Sequence, residues 1–322
     1  MSLRSIALAV LLLPGFAFAQ LGTGGAEPFS ISLSTQYPQP GSTAALVPQT
    51  SGINLANSTL SVSVNGTRVY SGAAQATPIT LAPVGHLTTI SATLSSNGTK
   101  YTKTLSLRPG SVSLVAEPLS TAPRLYPGKP LVPYSGSVRL VAVADFRSAP
   151  TSRIDPATLV YTWSVDGATM RDASGIGRSS IVVSSPLPYR SKEVQVLIQS
   201  QGGSLSGGRS VSLSAQAPLV RIYRNDPLQG IVFDTALHGT QTILNTESTF
   251  TASAFSFPKA RVPNISWFLD GNAVQSGPFI TVRPEGAGQG SATLSVTASS
   301  GAESAAATLP LSFGRSSSLF GI

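Results

Sequence analysis

Tyr161-Thr162-Trp163-Ser164-Val165-Asp166-Gly167 is the stretch that decides the fold. Its apolar residues alternate with mostly polar ones, the period of a half-buried strand. It closes on Asp-Gly, a pair that tolerates the positive φ angles of a tight hairpin. Two counterparts exist, Leu60-Ser61-Val62-Ser63-Val64-Asn65-Gly66 and Ile265-Ser266-Trp267-Phe268-Leu269-Asp270-Gly271. The closing glycines, Gly66, Gly167 and Gly271, stand 101 and 104 residues apart. A strand with its exit turn recurring at that interval predicts a chain of similar repeats, each of roughly a hundred residues.

Downstream of each turn comes a short apolar strand that stops at proline: Ile79-Thr80-Leu81-Ala82-Pro83, Ile181-Val182-Val183-Ser184-Ser185-Pro186 and Ile280-Thr281-Val282-Arg283-Pro284. A hairpin follows in every repeat. Thr88 to Leu94 turns at Asn97-Gly98 into Thr102 to Leu107, and Glu193 to Gln199 turns near Gly202-Gly203 into Val211 to Leu213. In the third repeat Ser291 to Ala298 turns near Ser300-Gly301 into Thr308 to Phe313. Upstream, Phe29 to Leu33, Val112 to Val115 and Val220 to Tyr223 read as first strands, and second strands stand out at Val138 to Ala144 and Thr249 to Phe257. Gly207-Gly208 reads as punctuation before the last strand of the second repeat.

Six to eight short strands per repeat, with regular turn signals and no amphipathic helix, predict a β-sandwich. Proline breaks the strand pattern near Arg108-Pro109-Gly110 and Ala217-Pro218, which places the boundaries there and makes the links short. The two tryptophan strands resemble those of bacterial immunoglobulin-like and PKD-like domains. That resemblance implies that Trp163 and Trp267 fill the space between two sheets and that Val62 takes their place in the first repeat. It departs from the PKD pattern in having no Gly-Asp-Gly after the tryptophan strand, and from antibody domains in having no paired cysteines. The expected fold is all-β: three tandem immunoglobulin-like β-sandwich domains over residues 20–108, 109–217 and 218–313, after a signal peptide over 1–19 and before a C-terminal tail over 314–322. Such domains serve as spacers, adhesive units or assembly parts of exported bacterial proteins, and the resemblance implies a role of that kind.

The amino terminus agrees with export. Arg4, the apolar run Ile6 to Leu13, the Pro14-Gly15 break and Ala17-Phe18-Ala19 follow one another in the order of a secretory signal peptide, with cleavage expected after Ala19. The run is shorter than the ~20 residues that span a bilayer, so a permanent anchor is the alternative reading. No membrane span is expected once the signal is removed. The chain has no cysteine, which rules out disulfides, thiolate metal sites, a cysteine nucleophile and lipid attachment at a cysteine. Charged residues make up 11% of it, against a typical ~25%, and the mean hydropathy is +0.20. The formal charge of +8 includes Arg4, leaving 20 basic against 13 acidic residues, or +7, in the mature chain. The excess lies in the first two repeats, because residues 218–322 hold six of each sign.

Residue chemistry points to no reaction. His86 and His238 fall in different repeats, and neither stands in a His-x-x-x-His spacing or an informative Ser/His/Asp neighbourhood. The acids are scattered singly, and those of Asp166 and Asp270 are explained by their turns. No catalytic residue, metal site or cofactor is expected. Within Arg221 to Gly230, Asn225 and Asp226, with Asp234 beyond, offer oxygen ligands for calcium, but a turn at Asp226-Pro227 accounts for the same residues. The basic residues form no run and have no interleaved aromatics, which speaks against nucleic acid. Tyr126, Tyr134 and Tyr189 are the candidates for binding, since exposed aromatics on a sandwich face stack on sugars, while Tyr189 also suits a packing corner before a strand. In the tail, Leu319 and Phe320 are candidates for docking to a sheet edge, with a frayed terminus as the alternative.

The expectation that results is a non-catalytic structural or interaction protein of the periplasm, cell surface or extracellular space, acting as spacer, adhesin or assembly component. Its partners would be cell-surface or envelope proteins or glycans. A carbohydrate or cell-wall polymer binding module is the runner-up, and an enzyme with an unrecognised site the third reading.

Overall fold

Four turns take the left-handed backbone that their sequences favour. Asn65-Gly66, Asn97-Gly98, Asp166-Gly167 and Asp270-Gly271 each combine φ of 48–50° at the first residue with 79–83° at the glycine. Asn and Asp enter this region at little cost and glycine at none, so each pair reverses the chain within two residues. The computed structural model describes residues 27–124, 126–243, 247–284 and 290–314. The signal-peptide reading of 1–19 and the tail residues Leu319 and Phe320 lie outside them.

Strands fill the chain between such turns. In the first repeat they are β1 (Phe29–Leu33), β2 (Thr43–Thr50), β3 (Thr59–Val64), β4 (Thr67–Ala73), β5 (Thr77–Thr80), β6 (Thr88–Ser96) and β7 (Thr99–Leu107). The second has β8 (Ser111–Pro118), β9 (Ser137–Asp145), β10 (Arg147–Ala149), β11 (Ser152–Arg153), β12 (Val160–Val165), β13 (Ala168–Thr169), β14 (Gly175–Ile176), β15 (Ser180–Ser184), β16 (Ser191–Gln199) and β17 (Ser206–Ser214). The third has β18 (Leu219–Asp226), β19 (Gly230–Ile231), β20 (Gln241–Ile243), β21 (Ser248–Phe255), β22 (Asn264–Leu269), β23 (Asn272–Ser276), β24 (Phe279–Val282), β25 (Gly290–Ser300) and β26 (Glu303–Phe313).

The repeats share one topology. The first forms sheets β1-β2-β5 and β4-β3-β6-β7, and the second β15-β9-β8 and β13-β12-β16-β17, with β14 also on β12. The third forms β19-β18-β21-β24 and β20-β26-β25-β22-β23. Its added feature is β20, which crosses to the second sheet and runs parallel to the end of β26, Gln241 opposite Leu311. These are three tandem immunoglobulin-like β-sandwiches.

Alternation puts every second side chain inside. Thr88, Ile90, Ala92 and Leu94 of β6 are buried in turn, as are Val194, Val196 and Ile198 of β16. Val62, Trp163 and Trp267 stand at the same place on β3, β12 and β22, and none of the three has exposed surface. A buried indole must place its N–H, and both do so in the same way. Trp163 Nε1 donates to the Arg178 carbonyl at 2.8 Å, and Trp267 Nε1 to the Gly277 carbonyl at 2.9 Å. Trp163 shares one buried core with Val112, Leu140, Phe146, Tyr161 and Val196, and Trp267 another with Val220, Phe250, Phe257, Leu294 and Leu309.

Two sequence expectations change. Gly207-Gly208 lies inside β17, opposite Ile198 and Leu197, rather than in a turn before it. A Cβ on Gly207 would come within 3.0 Å of the Phe146 ring, and one on Gly208 within 2.7 Å of Tyr37, so the glycines admit two aromatic rings. The second strand of the first repeat, β2, had no clear sequence signal because Pro48 interrupts it; Pro48 sits in the ladder opposite Ile31.

The described residues divide into two compact units. One holds those up to Leu33 with Leu46–Thr77 and Ile90–Leu105, and the other Ser34–Ala45, Pro78–Thr89 and the described residues from Ser106 onward. The second and third sandwiches thus belong to a single unit.

Candidate functional site

Between β8 and β9 the chain makes a proline-rich detour, Leu119 to Gly136, containing Pro123, Pro127, Pro130 and Pro133. Proline removes amide donors and keeps such a segment out of its own sheet. Several of its backbone groups bind the third sandwich instead. Ser120 stands opposite Pro258 in an antiparallel bridge just past β21. Thr121 N–H donates to the Phe257 carbonyl (2.7 Å), its carbonyl accepts from Ser256 N–H (3.1 Å), and its hydroxyl accepts from Phe257 N–H (3.1 Å). Lys259 N–H donates to the Leu119 carbonyl at 2.9 Å. Ser256, with no exposed surface, holds φ of 62° at the centre of this contact.

Aromatic side chains close one flank. Tyr126, half-buried, lies edge-on to Phe255 (centroids 5.0 Å apart) and Phe233 (6.1 Å), and Phe233 lies edge-on to Tyr223 at 5.1 Å. Burial pushes the Tyr223 phenol above its ordinary pKa, with Tyr126 adding to the shift.

On the other flank, the turn before β9 meets the β25–β26 hairpin. Glu303 Oε1 accepts from Ser135 N–H at 3.0 Å and from Ser135 Oγ. Its Oε2 is out of solvent with no hydrogen-bond partner among the described residues. A cleft of about 430 Å³ opens here, lined by Ser135, Gly136, Pro258, Arg261, Gly301 and Glu303. Beside it runs the loop from β15 to β16, tied in by Ser185 N–H donating to the Gly136 carbonyl at 3.0 Å.

That loop carries Tyr189, 98% exposed at φ of 61°, and Leu187, 70% exposed. Partial desolvation, then the charge and hydrogen bond of Tyr189, hold the Tyr134 phenol above its ordinary pKa. Tyr134 and Tyr189 are therefore brought together, while Tyr126 is taken up in packing elsewhere. An exposure of 98% also removes the packing-corner reading of Tyr189. No sequence signal marked Glu303 or Arg261, since a lone acid and a lone base in separate loops look like any other surface charge.

The remaining candidates lie apart. Asp226 Oδ1 accepts from Leu228 N–H (2.8 Å) and Gln229 N–H (3.0 Å), and these bonds hold its carboxyl below the ordinary range. Of the oxygen ligands proposed for calcium, Asn225 and Asp226 line one depression and Asp234 lines another. Among the described residues no three His, Cys, Asp or Glu side chains lie together as a metal cluster. His86 and His238 are both exposed, and His238 Nδ1 lies 3.2 Å from the Ala236 carbonyl. Among the described residues no helix is long and apolar enough to cross a membrane.

Fold and site together define a tandem immunoglobulin-like β-sandwich protein with a cleft where two sandwiches join. No family model and no curated protein matches the sequence. Among solved structures, the chain is similar to immunoglobulin domains 1–5 of Sidekick-1 at 15% identity and a TM-score of 0.30, covering 91% of this chain and 60% of that one. It thus spans less than two thirds of that structure. It is also similar to the central fibronectin-III array of RIM-binding protein (10% identity, TM-score 0.29, 89% of this chain and 96% of that one). A third likeness is to the fibronectin(III)-like modules of Clostridium thermocellum CbhA (14%, 0.26, 58% and 94%). These likenesses concern fold alone.

Proposed function

We propose that this chain is an exported, non-catalytic protein of the cell envelope or surface that serves as a spacer, adhesive unit or assembly component, its mature part built of modules 20–108, 109–217 and 218–313. Tandem immunoglobulin-like sandwiches suit a structural or interaction role. The observation that carries the reading is the clamp from Leu119 to Gly136, which fastens the second sandwich to the third through backbone hydrogen bonds at Thr121 and Lys259. A flexible tether would need no such contacts; a part that holds a binding surface at a fixed place does. The test is cross-linking on intact cells, followed by affinity capture and amino-terminal sequencing of the recovered chain. A mature terminus at Gln20 with co-captured envelope or surface proteins is expected. An uncleaved chain confined to the cytoplasm would overturn the reading.

A carbohydrate or wall-polymer binding module is the second reading. What favours it is the meeting of Tyr134 with the exposed Tyr189 beside the cleft.

A further inference from the structure

The outer face of the sheet β15-β9-β8 is apolar where the solvated face of an antiparallel sheet is ordinarily polar. These strands send Val112, Val138, Leu140, Ile181 and Val183 into the core, so the residues between them point outward. Three of those are exposed valines: Val143 (50%), Val115 (53%) and Val182 (59%). Register gathers them around Val141, which lies opposite Val115 on one side and next to Val143 along its own face of β9, while Val182 lies opposite Arg139. The matching strands of the first sandwich turn Ser30, Ser32 and Gln49 outward instead, with Gln49 Nε2 donating to Ser32 Oγ at 3.3 Å.

The charges of this face say what covers it. Glu117 lies opposite Arg139, one row from Val115 and Val141. Their ion pair is loose, Arg139 Nη1 standing 3.7 Å from Glu117 Oε2 with both side chains half in solvent. A two-fold axis running along the strands, midway between β8 and β9, sets β8 of one copy over β9 of another. Glu117 then faces Arg139 of the second copy and Arg139 faces its Glu117, while Val115 and Val141 face each other in the same reciprocal way. A partner of one dominant charge would meet the wrong sign at this row, whereas a second copy meets each charge with its opposite. Sheets stack face to face in this aligned manner in sandwiches themselves. Three strands at ~4.8 Å spacing and ~3.3 Å per residue offer roughly 400 Å², about half of what each partner of a standard interface buries, so the association is weak and reversible.

We propose that the outer face of β8, β9 and β15 is a self-association surface through which two copies of this chain form an isologous dimer, valines packing on valines and Glu117 exchanging its own Arg139 for that of the second copy. The test is sedimentation velocity of the full chain from low micromolar to millimolar concentration. The wild-type chain should pass from monomer to dimer within that range. Val115→Thr keeps the branched shape and should weaken the dimer about tenfold, because symmetry removes two buried methyl groups. Glu117→Arg and Arg139→Glu should each be monomeric alone, since each sets like charges face to face. An equimolar mixture of the two should dimerise again, one copy presenting two cations and the other two anions; a merely structural role for the intrachain pair would not produce that rescue. The proposal falls if the wild-type chain stays monomeric at millimolar concentration, if either charge variant alone dimerises like the wild type, or if the mixture stays monomeric.

Discussion

At the residue scale, glycines that look like punctuation prove to be spaces. A Cβ on Gly110 would lie 1.7 Å from the Phe146 ring, and one on Gly207 would meet the same ring at 3.0 Å, so two strand ends fold around one buried phenylalanine. Overpacking of this kind costs about 1–3 kcal/mol, and Gly110→Ala should lose that amount in a urea melt. Gly290→Ala, where the added carbon meets nothing within 4 Å among the described residues, should lose none. Equal stability of the two variants would refute the packing account. The sequence shows glycine in both settings, and only the aromatic partner from a distant strand tells them apart. The same holds for Trp163 and Trp267, whose place on an alternating strand was legible while their N–H acceptors, Arg178 and Gly277, were not.

At the scale of elements, the hairpin turns do more than reverse the chain. Asp166 N–H donates to the Glu193 carbonyl (2.9 Å) while its carboxylate accepts from Glu193 N–H (2.8 Å). Asp270 does the same with Thr293, at 2.9 and 2.7 Å. Each turn is thereby fastened to the start of the neighbouring long strand. Asp270→Ala removes the acceptor and puts a Cβ-bearing residue without a polar aid in the left-handed region, so chemical denaturation should show a loss of about 1–3 kcal/mol. Asp270→Asn keeps the acceptor and the turn conformation and should lose less; the reverse order would contradict the account. These turns were legible because their demand is local. β20, by contrast, obeys a distant partner, pairing in parallel with β26 across a long connection, while β10–β11 is held locally by Arg147, which reaches Asp145 with two bonds of 3.0 and 2.9 Å and Pro150 with a third of 2.8 Å. The turns before β3 and β12 also repeat unseen, Asn54 capping Ala56 N–H and Asp155 capping Ala157 N–H, both at 2.9 Å.

At the scale of the whole molecule, the repeat gave the number of sandwiches but not how the second and third are joined. The joining bonds are mostly backbone bonds of Leu119, Thr121, Phe257 and Lys259, which leave no side-chain signature, and the proline content of the detour signals only a loop. Of the candidate site, two tyrosines were legible as a residue type suited to a surface, while Glu303 acquires meaning only from Ser135, 168 positions away. The clamp makes one body of the second and third sandwiches, and a chain without native cysteine lets introduced labels measure this directly. Spin labels at Ala168→Cys and Ala273→Cys, both exposed positions just past corresponding turns, report the distance between the two sandwiches by pulsed electron resonance. The account predicts one narrow distance distribution, broadened when Thr121→Pro removes the 2.7 Å bond to Phe257; a broad distribution in the otherwise native chain would contradict it.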